Sequence, residues 1–167
     1  MNIRVGYGFD VHPLETGREF WLGGIKLESD RGAMGHSDAD VLIHAICDAL
    51  LGAANLRDIG FHFSNKDPRW KGKDSKFFLA EVTRLLSERN WRIGNVDCTV
   101  CLEEPRVNPH IPEMKRVLAP LLNVTEEDVS IKATTNEKLG FIGREEGVTA
   151  SAVALIFRKD FSVIKNF

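Results

Sequence analysis

The stretch Val148-Thr-Ala-Ser-Ala-Val-Ala-Leu-Ile-Phe157 reads as a strand whose two faces differ in kind. Successive strand residues point to opposite sides, so Ala150, Ala152 and Ala154 share one face. A face this small-sided lets a second layer approach closely. Back along the chain, Val129 to Ala133 reads as another strand, as does Arg92 to Leu102 through the alternation of Val96, Cys98, Val100 and Leu102. Ile3 to Asp10 is a further strand. Phe20-Trp21-Leu22 and Ile25-Lys26-Leu27 flank Gly23-Gly24, a pair that supplies the positive φ of a two-residue hairpin turn.

Between these strands the apolar period changes to three and four. Val41, Leu42, Ala45, Ile46, Ala49 and Leu50 form the stripe of a helix capped by Ser37 or Asp38, with Asp40, His44 and Asp48 four apart on another side. A second helix starts near Asp74 or Ser75 and aligns Phe78, Val82, Leu85 and Leu86. A third starts at Pro112, whose missing N–H is no loss at a first helical position, and buries Met114, Val117, Leu118 and Leu121. Residues 55–74 carry Gly, Pro, Asn and Asp without a period, and so long a loop in a compact domain is expected to contact substrate. The expectation is one domain over residues 1–167, an α/β or α+β sandwich with three helices largely on one face of the sheet. The other face of the sheet then needs a cover, and self-association is the simplest one.

Composition narrows the function. With 22 basic and 24 acidic side chains the net charge is −2, and the cations are scattered, unlike the basic stripe of a nucleic-acid binder. The longest apolar stretch, Val41 to Leu56, is broken by His44, Asp48 and Asn55, and no run reaches the ~18 residues of a membrane span. Met1-Asn2-Ile3-Arg4 leads straight into a strand, without the layout of a signal peptide. Cys47, Cys98 and Cys101 are an odd, sparse set, as expected in a reducing compartment. A cytoplasmic protein with no nucleic-acid and no membrane partner is expected. Cys98-Thr-Val-Cys101 has CxxC spacing, yet residues three apart on a strand face opposite ways and cannot chelate one ion.

Asp10-Val11-His12 ends the first strand with a carboxylate and an imidazole on one side. His44 offers a third donor, and one Asp with two His suits zinc, leaving a fourth position for substrate or water. The plainer alternative is strand-end polar groups beside a hydrogen-bonded histidine. His36-Ser37 precedes the first helix, where unpaired N–H groups favour an anion, although Ser37 or Asp38 equally serves as a simple cap. Lys132 to Arg144 leaves a strand as a run of hydroxyl, amide, carboxylate and cationic groups between glycines. Such a run suits phosphates and a hard cation, or is an ordinary polar loop. No Walker A, GxGxxG, GxSxG or HExxH sequence occurs.

Taken together, Gly8-Phe9-Asp10-Val11-His12, Gly35-His36-Ser37-Asp38-Ala39-Asp40, His44-Ala45 with Asp48-Ala49-Leu50-Leu51-Gly52-Ala53, Asp58-Ile59-Gly60, Asn108-Pro109-His110-Ile111-Pro112 and the Thr134 to Arg144 run resemble the 2-C-methyl-D-erythritol 2,4-cyclodiphosphate synthase family. The resemblance covers essentially the whole chain. It implies α+β subunits, each a single-layer mixed β-sheet with three helices on one face, assembled as a homotrimer around a three-fold axis, with active sites between neighbouring subunits, acting in the non-mevalonate route to isoprenoid precursors. It further implies that Asp10, His12 and His44 hold Zn2+, that Glu137 serves a second divalent cation, Mg2+ or Mn2+, and that His36 and Thr135 stabilise the transition state. Asp58, Ile59, Gly60, Phe63, Ser64, Asn65, Lys66 and Asp67 are implied around the methylerythritol phosphate end, and Asp10, Val11, His12, His36 and Ser37 are implied as further substrate contacts. Leu102, Glu103, Glu104, Pro105, Arg106, Val107, Asn108 and Thr134 are implied around the cytidine of a cytidine diphosphate-linked substrate. Thr135, Asn136, Glu137, Phe141 and Arg144 complete the set.

The implied reaction is attack of a 2-phosphate on the substrate's own β-phosphorus, with release of CMP and closure of a cyclic diphosphate. A hydrolytic phosphodiesterase or nucleotidase and a trimeric scaffold with structural metal are the competing readings. Zinc needs neutral histidine, and a neighbouring carboxylate usually fixes the ligand tautomer; Asp48 or Asp40 is expected in that role. The chain departs from the family pattern at Ser64-Asn65 for Pro-Asp, at Asn136 for a third Thr, and at Leu102-Glu103-Glu104-Pro105-Arg106 for Ala-Gln-x-Pro-Lys. Ser151 stands where some members carry Glu near the trimer axis.

Overall fold

The structure is a computed structural model that describes residues 2–159. Met1 and residues 160–167 of the expected domain lie outside the described residues. In chain order the elements are β1 (Ile3–Thr16), β2 (Phe20–Leu22), β3 (Ile25–Leu27), β4 (Arg31–Ala33), α1 (Val41–Ala53), α2 (Ile59–His62), α3 (Ser75–Glu88), β5 (Trp91–Cys101), α4 (Ile111–Leu122), β6 (Val129–Thr134), α5 (Gly140–Gly143) and β7 (Gly147–Arg158). The main sheet has the order β4-β1-β7-β5-β6, and β2-β3 is a separate hairpin. Among the described residues only the β5–β6 pair is parallel. The expected mixed sheet with helices on one face is therefore the observed α+β architecture.

Register decides which face is inside. Gly6 and Gly8 of β1 pair with Ala154 and Ala152 of β7, which pair in turn with Val96 and Cys98 of β5. These residues face the helices. Helix α1 lies across β1 and β7, α3 packs on α1, and α4 packs on α3 and β6. The alanine row of β7 is buried as its small size suggested, and β1 carries the approach further. A Cβ on Gly6 would stand 1.9 Å from the Ala49 carbonyl oxygen, and one on Gly8 would stand 2.0 Å from that of Ala45. No L side chain fits there, so the α1 backbone rests directly on the strand backbone.

Continuing along that face of β1, Asp10 and His12 lie just beyond the glycines, toward the N-terminal end of α1 where His44 sits. The opposite face carries Val5, Tyr7, Phe9, Val11 and Val153, with Val5 and Tyr7 each 64% exposed. An apolar row this continuous is unusual on a free surface. Among the described residues no helix is long and apolar enough to cross a membrane.

Several local expectations change. The cap of α1 is Asp40, not Ser37 or Asp38; its carboxylate accepts from Ile43 N and from the Gly23 and Gly24 amides of the hairpin turn. That carboxylate fills the helix start, so the anion expected there meets a residue of like charge. Strand β1 runs to Thr16 because β4 gives its far end a partner. The irregular 55–74 stretch holds the short helix α2 and a 3-10 turn at Pro68–Trp70. In α4, Ala119 and Leu122 are buried with Met114 and Leu118, while Val117 and Leu121 are only half-buried. Cys98 is buried and Cys101 partly exposed, on opposite sides of β5 as the alternation requires.

Candidate metal and phosphate site

Asp10, His12 and His44 converge. Asp10 Oδ2 lies 3.0 Å from His12 Nε2 and 2.9 Å from His44 Nδ1, and the two imidazole nitrogens are 3.2 Å apart. Ligands on a tetrahedral ion with bonds of ~2.0–2.1 Å sit about 3.3 Å apart. The three donors thus need only a small opening to accept a divalent metal, and one carboxylate with two imidazoles suits that class of ion. Gly35 makes the room: a Cβ there would lie 3.1 Å from His12 Cε1.

The charges are mutually supporting. Burial opposes ionisation of Asp10, but the hydrogen bonds and charges of His12 and His44 hold its carboxyl well below the usual carboxylate range. Burial likewise opposes the His44 imidazolium, yet Asp10 in contact, with Asp40 and Asp38 nearby, raises its pKa above the ordinary 6.5.

The rear of His44 is equally specific. Its Nε2 lies 3.0 Å from Ser75 Oγ and 3.2 Å from Ser37 Oγ. Ser75 is fully buried and donates its hydroxyl proton to Asp38 Oδ1, while its amide donates to Asp38 Oδ2 at 2.9 Å. A hydroxyl whose proton is committed accepts only, so His44 carries hydrogen on Nε2 and keeps the Nδ1 lone pair for a metal. The carboxylate behind the ligand is Asp38, acting through Ser75. This replaces the expected Asp48 or Asp40. Asp40 is spent on the α1 cap and hairpin amides, and Asp48 accepts from Ile59 N at 2.7 Å, which fastens α2 to α1.

Around the triad a hollow is lined by His36, Ser37, Ile59, Gly60, Phe63 and Asn65, all expected from sequence, together with Gly35, Trp70 and Phe78. Phe63 packs on Trp70 and Phe78 with ring centroids 5.6 and 4.9 Å away, giving the hollow an aromatic wall. His36 Nε2 approaches the Asp67 carbonyl at 3.3 Å, a contact in which the imidazole donates. Asp58 caps α2, Asp67 caps the 3-10 turn and pairs with Arg69, and Ser64 Oγ accepts from Lys66 N.

Leu102, Glu103, Glu104, Arg106, Val107 and Asn108 line a second hollow with Thr134, Thr135 and Glu137, where the parallel strands β5 and β6 end side by side. Pro105 joins this segment through a cis peptide bond. The two hollows share no lining residue, so within one chain His36 and Thr135 belong to different sites. Thr135 Oγ1 donates to Glu137 Oε1 at 3.1 Å. Phe141 packs against Gly147 beside the His12 carbonyl, and Arg144 pairs with Glu146.

Sequence reasoning missed Ser75, Asp38 and Trp70. Ser75 read as a helix start, and nothing in its spacing links it to His44, 31 residues earlier. Trp70 had a signal, the clustering of Phe63, Trp70, Phe77 and Phe78 around an irregular loop.

A mixed α+β domain whose Asp10, His12 and His44 can hold a divalent metal, with a separate polar hollow where β5 and β6 end, has the build of a metal-dependent enzyme. The chain belongs to the YgbB family, whose family model matches residues 3–157. It is 62% identical over 158 residues to the 2-C-methyl-D-erythritol 2,4-cyclodiphosphate synthase of Cytophaga hutchinsonii, covering 95% of this chain and 99% of that one. Among solved structures it resembles the bifunctional IspDF of Campylobacter jejuni, with a TM-score of 0.90 and 35% identity over 93% of this chain. It spans 42% of that longer protein. It also resembles Plasmodium falciparum IspF in a CDP complex, with a TM-score of 0.84 and 32% identity, covering 95% of this chain and 98% of that one.

Proposed function

We propose that this protein is a 2-C-methyl-D-erythritol 2,4-cyclodiphosphate synthase, a cytoplasmic phosphorus–oxygen lyase of the non-mevalonate isoprenoid route. It converts 4-diphosphocytidyl-2-C-methyl-D-erythritol 2-phosphate to the 2,4-cyclodiphosphate and releases CMP. The observation that carries this reading is the convergence of Asp10, His12 and His44 in a chain matched over 95% of its length by a relative of that name.

Asp10, His12 and His44 would hold zinc and Glu137 a second ion, magnesium or manganese; when bound, such ions neutralise charge on phosphate oxygens. The attacking phosphate monoester has a second pKa near ~6 and is already anionic at neutral pH. No side chain has to remove a proton, and the task left to the protein is positioning. Asp58, Ile59, Gly60 and the Phe63 to Asp67 segment receive the methylerythritol end, with the aromatic wall excluding water. Ser37 and His36 border the phosphates on one side, where Val11, whose side chain lies on the opposite face of β1, can offer only its backbone, and Thr135, Asn136, Phe141 and Arg144 belong to the other. Leu102 to Asn108 and Thr134 receive the cytidine.

The separation of the two hollows and the uncovered apolar face of β1 and β7 support a homotrimer in which one subunit's nucleotide hollow meets its neighbour's triad. Phosphorus NMR with the diphosphocytidyl substrate, zinc and magnesium tests the reading. Cyclic diphosphate and CMP, lost in His12→Ala, are expected; a linear diphosphate or free phosphate would overturn it in favour of a hydrolase.

A further inference from the structure

Glu103 is named above only as part of a nucleotide hollow, yet its carboxylate is turned away from that role. The residue is 5% exposed. Oε1 accepts from Asn136 N at 2.9 Å and Lys138 N at 3.2 Å, and Oε2 pairs with Lys138 Nζ at 2.9 Å. That ammonium in contact holds the Glu103 carboxyl below the usual carboxylate range against the opposing effect of burial.

The segment it grips is strained. Leu139 N donates to the Asn136 carbonyl across a tight turn whose central residues, Glu137 and Lys138, both have positive φ, 52° and 62°. Turns of this kind normally use Asn or Gly, and side-chain-bearing residues stay in them only when their surroundings over-determine the backbone. Gly143 closes the other side: a Cβ there would lie 2.1 Å from the Lys138 carbonyl carbon. The turn is thus clamped between a buried carboxylate and a bare backbone; Glu137 projects from it, and Thr135 from just before it.

We propose that Glu103 is a positioning residue that holds the 136–139 turn in its left-handed shape and so aims Glu137 within it and Thr135 just before it. The assignment of those two residues to phosphates and a second cation rests on the function proposed above. The position also suits an acid better than the amide common in the family: Oε1 of a glutamine would keep both backbone bonds, but its NH2 would confront Lys138 Nζ.

The test compares wild type, Glu103→Ala, Glu103→Gln and Glu103→Gln/Lys138→Ala in the full chain. Amide exchange of Asn136 and Lys138 reads the clamp without turnover; both amides are expected to lose protection in Glu103→Ala and to recover it in the double variant. Water-proton relaxation with Mn2+ is expected to show weaker binding in Glu103→Ala, while the Co2+ absorption of the Asp10–His12–His44 centre stays unchanged. In CMP release, kcat is expected to fall by up to about 100-fold, the scale of a misaimed group, with KM nearly constant. Unchanged amide exchange in Glu103→Ala overturns the proposal, as does a raised KM at constant kcat, which makes Glu103 a nucleotide contact. If Glu103→Ala does not fold, the glutamine variants carry the same comparison. An inactive wild type would defeat the proposed function and leave the exchange result standing.

Discussion

Ser75 Oγ meets His44 Nε2 at 3.0 Å as an acceptor, because its own proton is committed to Asp38. The arrangement makes two residues with no metal contact responsible for the state of a metal ligand. Removing such support lowers affinity by about 10–100-fold in comparable centres. Ser75→Ala and Asp38→Asn should therefore weaken zinc by that factor in a chelator competition, with a changed 15N shift at His44 Nε2. Asp40→Asn keeps the cap through Oδ1 but turns an NH2 toward the Gly24 amide, so it should cost about 1–3 kcal/mol for that unmet buried donor and leave zinc affinity nearly intact once folded. Wild-type affinity in Ser75→Ala would refute the assignment.

The pKa shifts of Asp10 and His44 set a pH profile for the metal-free protein. His44 is raised above 6.5, so its contribution to stability is full below 6.5 and is lost as pH rises through the raised value. Asp10 is lowered from 3.8, so its contribution is present above 3.8 and is lost as pH falls through the lowered value. The pair stabilises most between those ordinary values. Metal uptake runs the other way, since Nδ1 must give up its proton, and affinity should climb with pH. Urea unfolding of chelator-treated protein from about pH 5 to 8 checks the first trend; stability contributed by this pair that rises across the range would contradict it.

Gly8→Ala tests the bare backbone contact. Its Cβ would press on the Ala45 carbonyl and, at 2.6 Å, on Ala49 N, neither of which can swing aside as a side chain does. A loss of at least about 1–3 kcal/mol is expected, with α1 pushed off the strand. Because His44 travels with α1, Co2+ absorption should fall in step with the melting temperature. A stable Gly8→Ala protein that binds metal normally would show that the helix can shift without cost.

Tyr7→Asp places a charge in the middle of the uncovered apolar face, 64% exposed in the single chain and remote from the triad side. If this face is the trimer contact proposed above, sedimentation should show the protein moving from trimer toward monomer at fixed concentration, with far-UV circular dichroism unchanged. Retention of the wild-type mass would mean this face is not the interface.

Much of this molecule is legible in its sequence, and the gaps have physical reasons. Period two and period three-to-four signals located the long strands and helices because each buries one face. Asp10 and His12 were legible through strand alternation, whereas His44 was offered as a third donor on its residue type alone and gained weight from the family resemblance, since no local rule brings a helix residue to a strand end. The cap of α1 went to the wrong residue because Ser37, Asp38 and Asp40 all favour that role. The choice falls to Asp40 through the Gly23 and Gly24 amides, a tertiary contact. Strand β4 is three residues long and carries no period. The glycines of β1 make no recognisable motif in the sequence, because their use is steric and shows only once α1 lies against them.

The seam between β1 and α1 also makes the metal centre a clock. Two donors lie on the strand and the third arrives 32 residues later on a helix that must land on bare backbone before the three atoms meet. Strand pairing alone creates no binding site. During refolding in cobalt, the visible band should therefore appear only as the helix lands, separating that late event from the earlier gain of secondary structure.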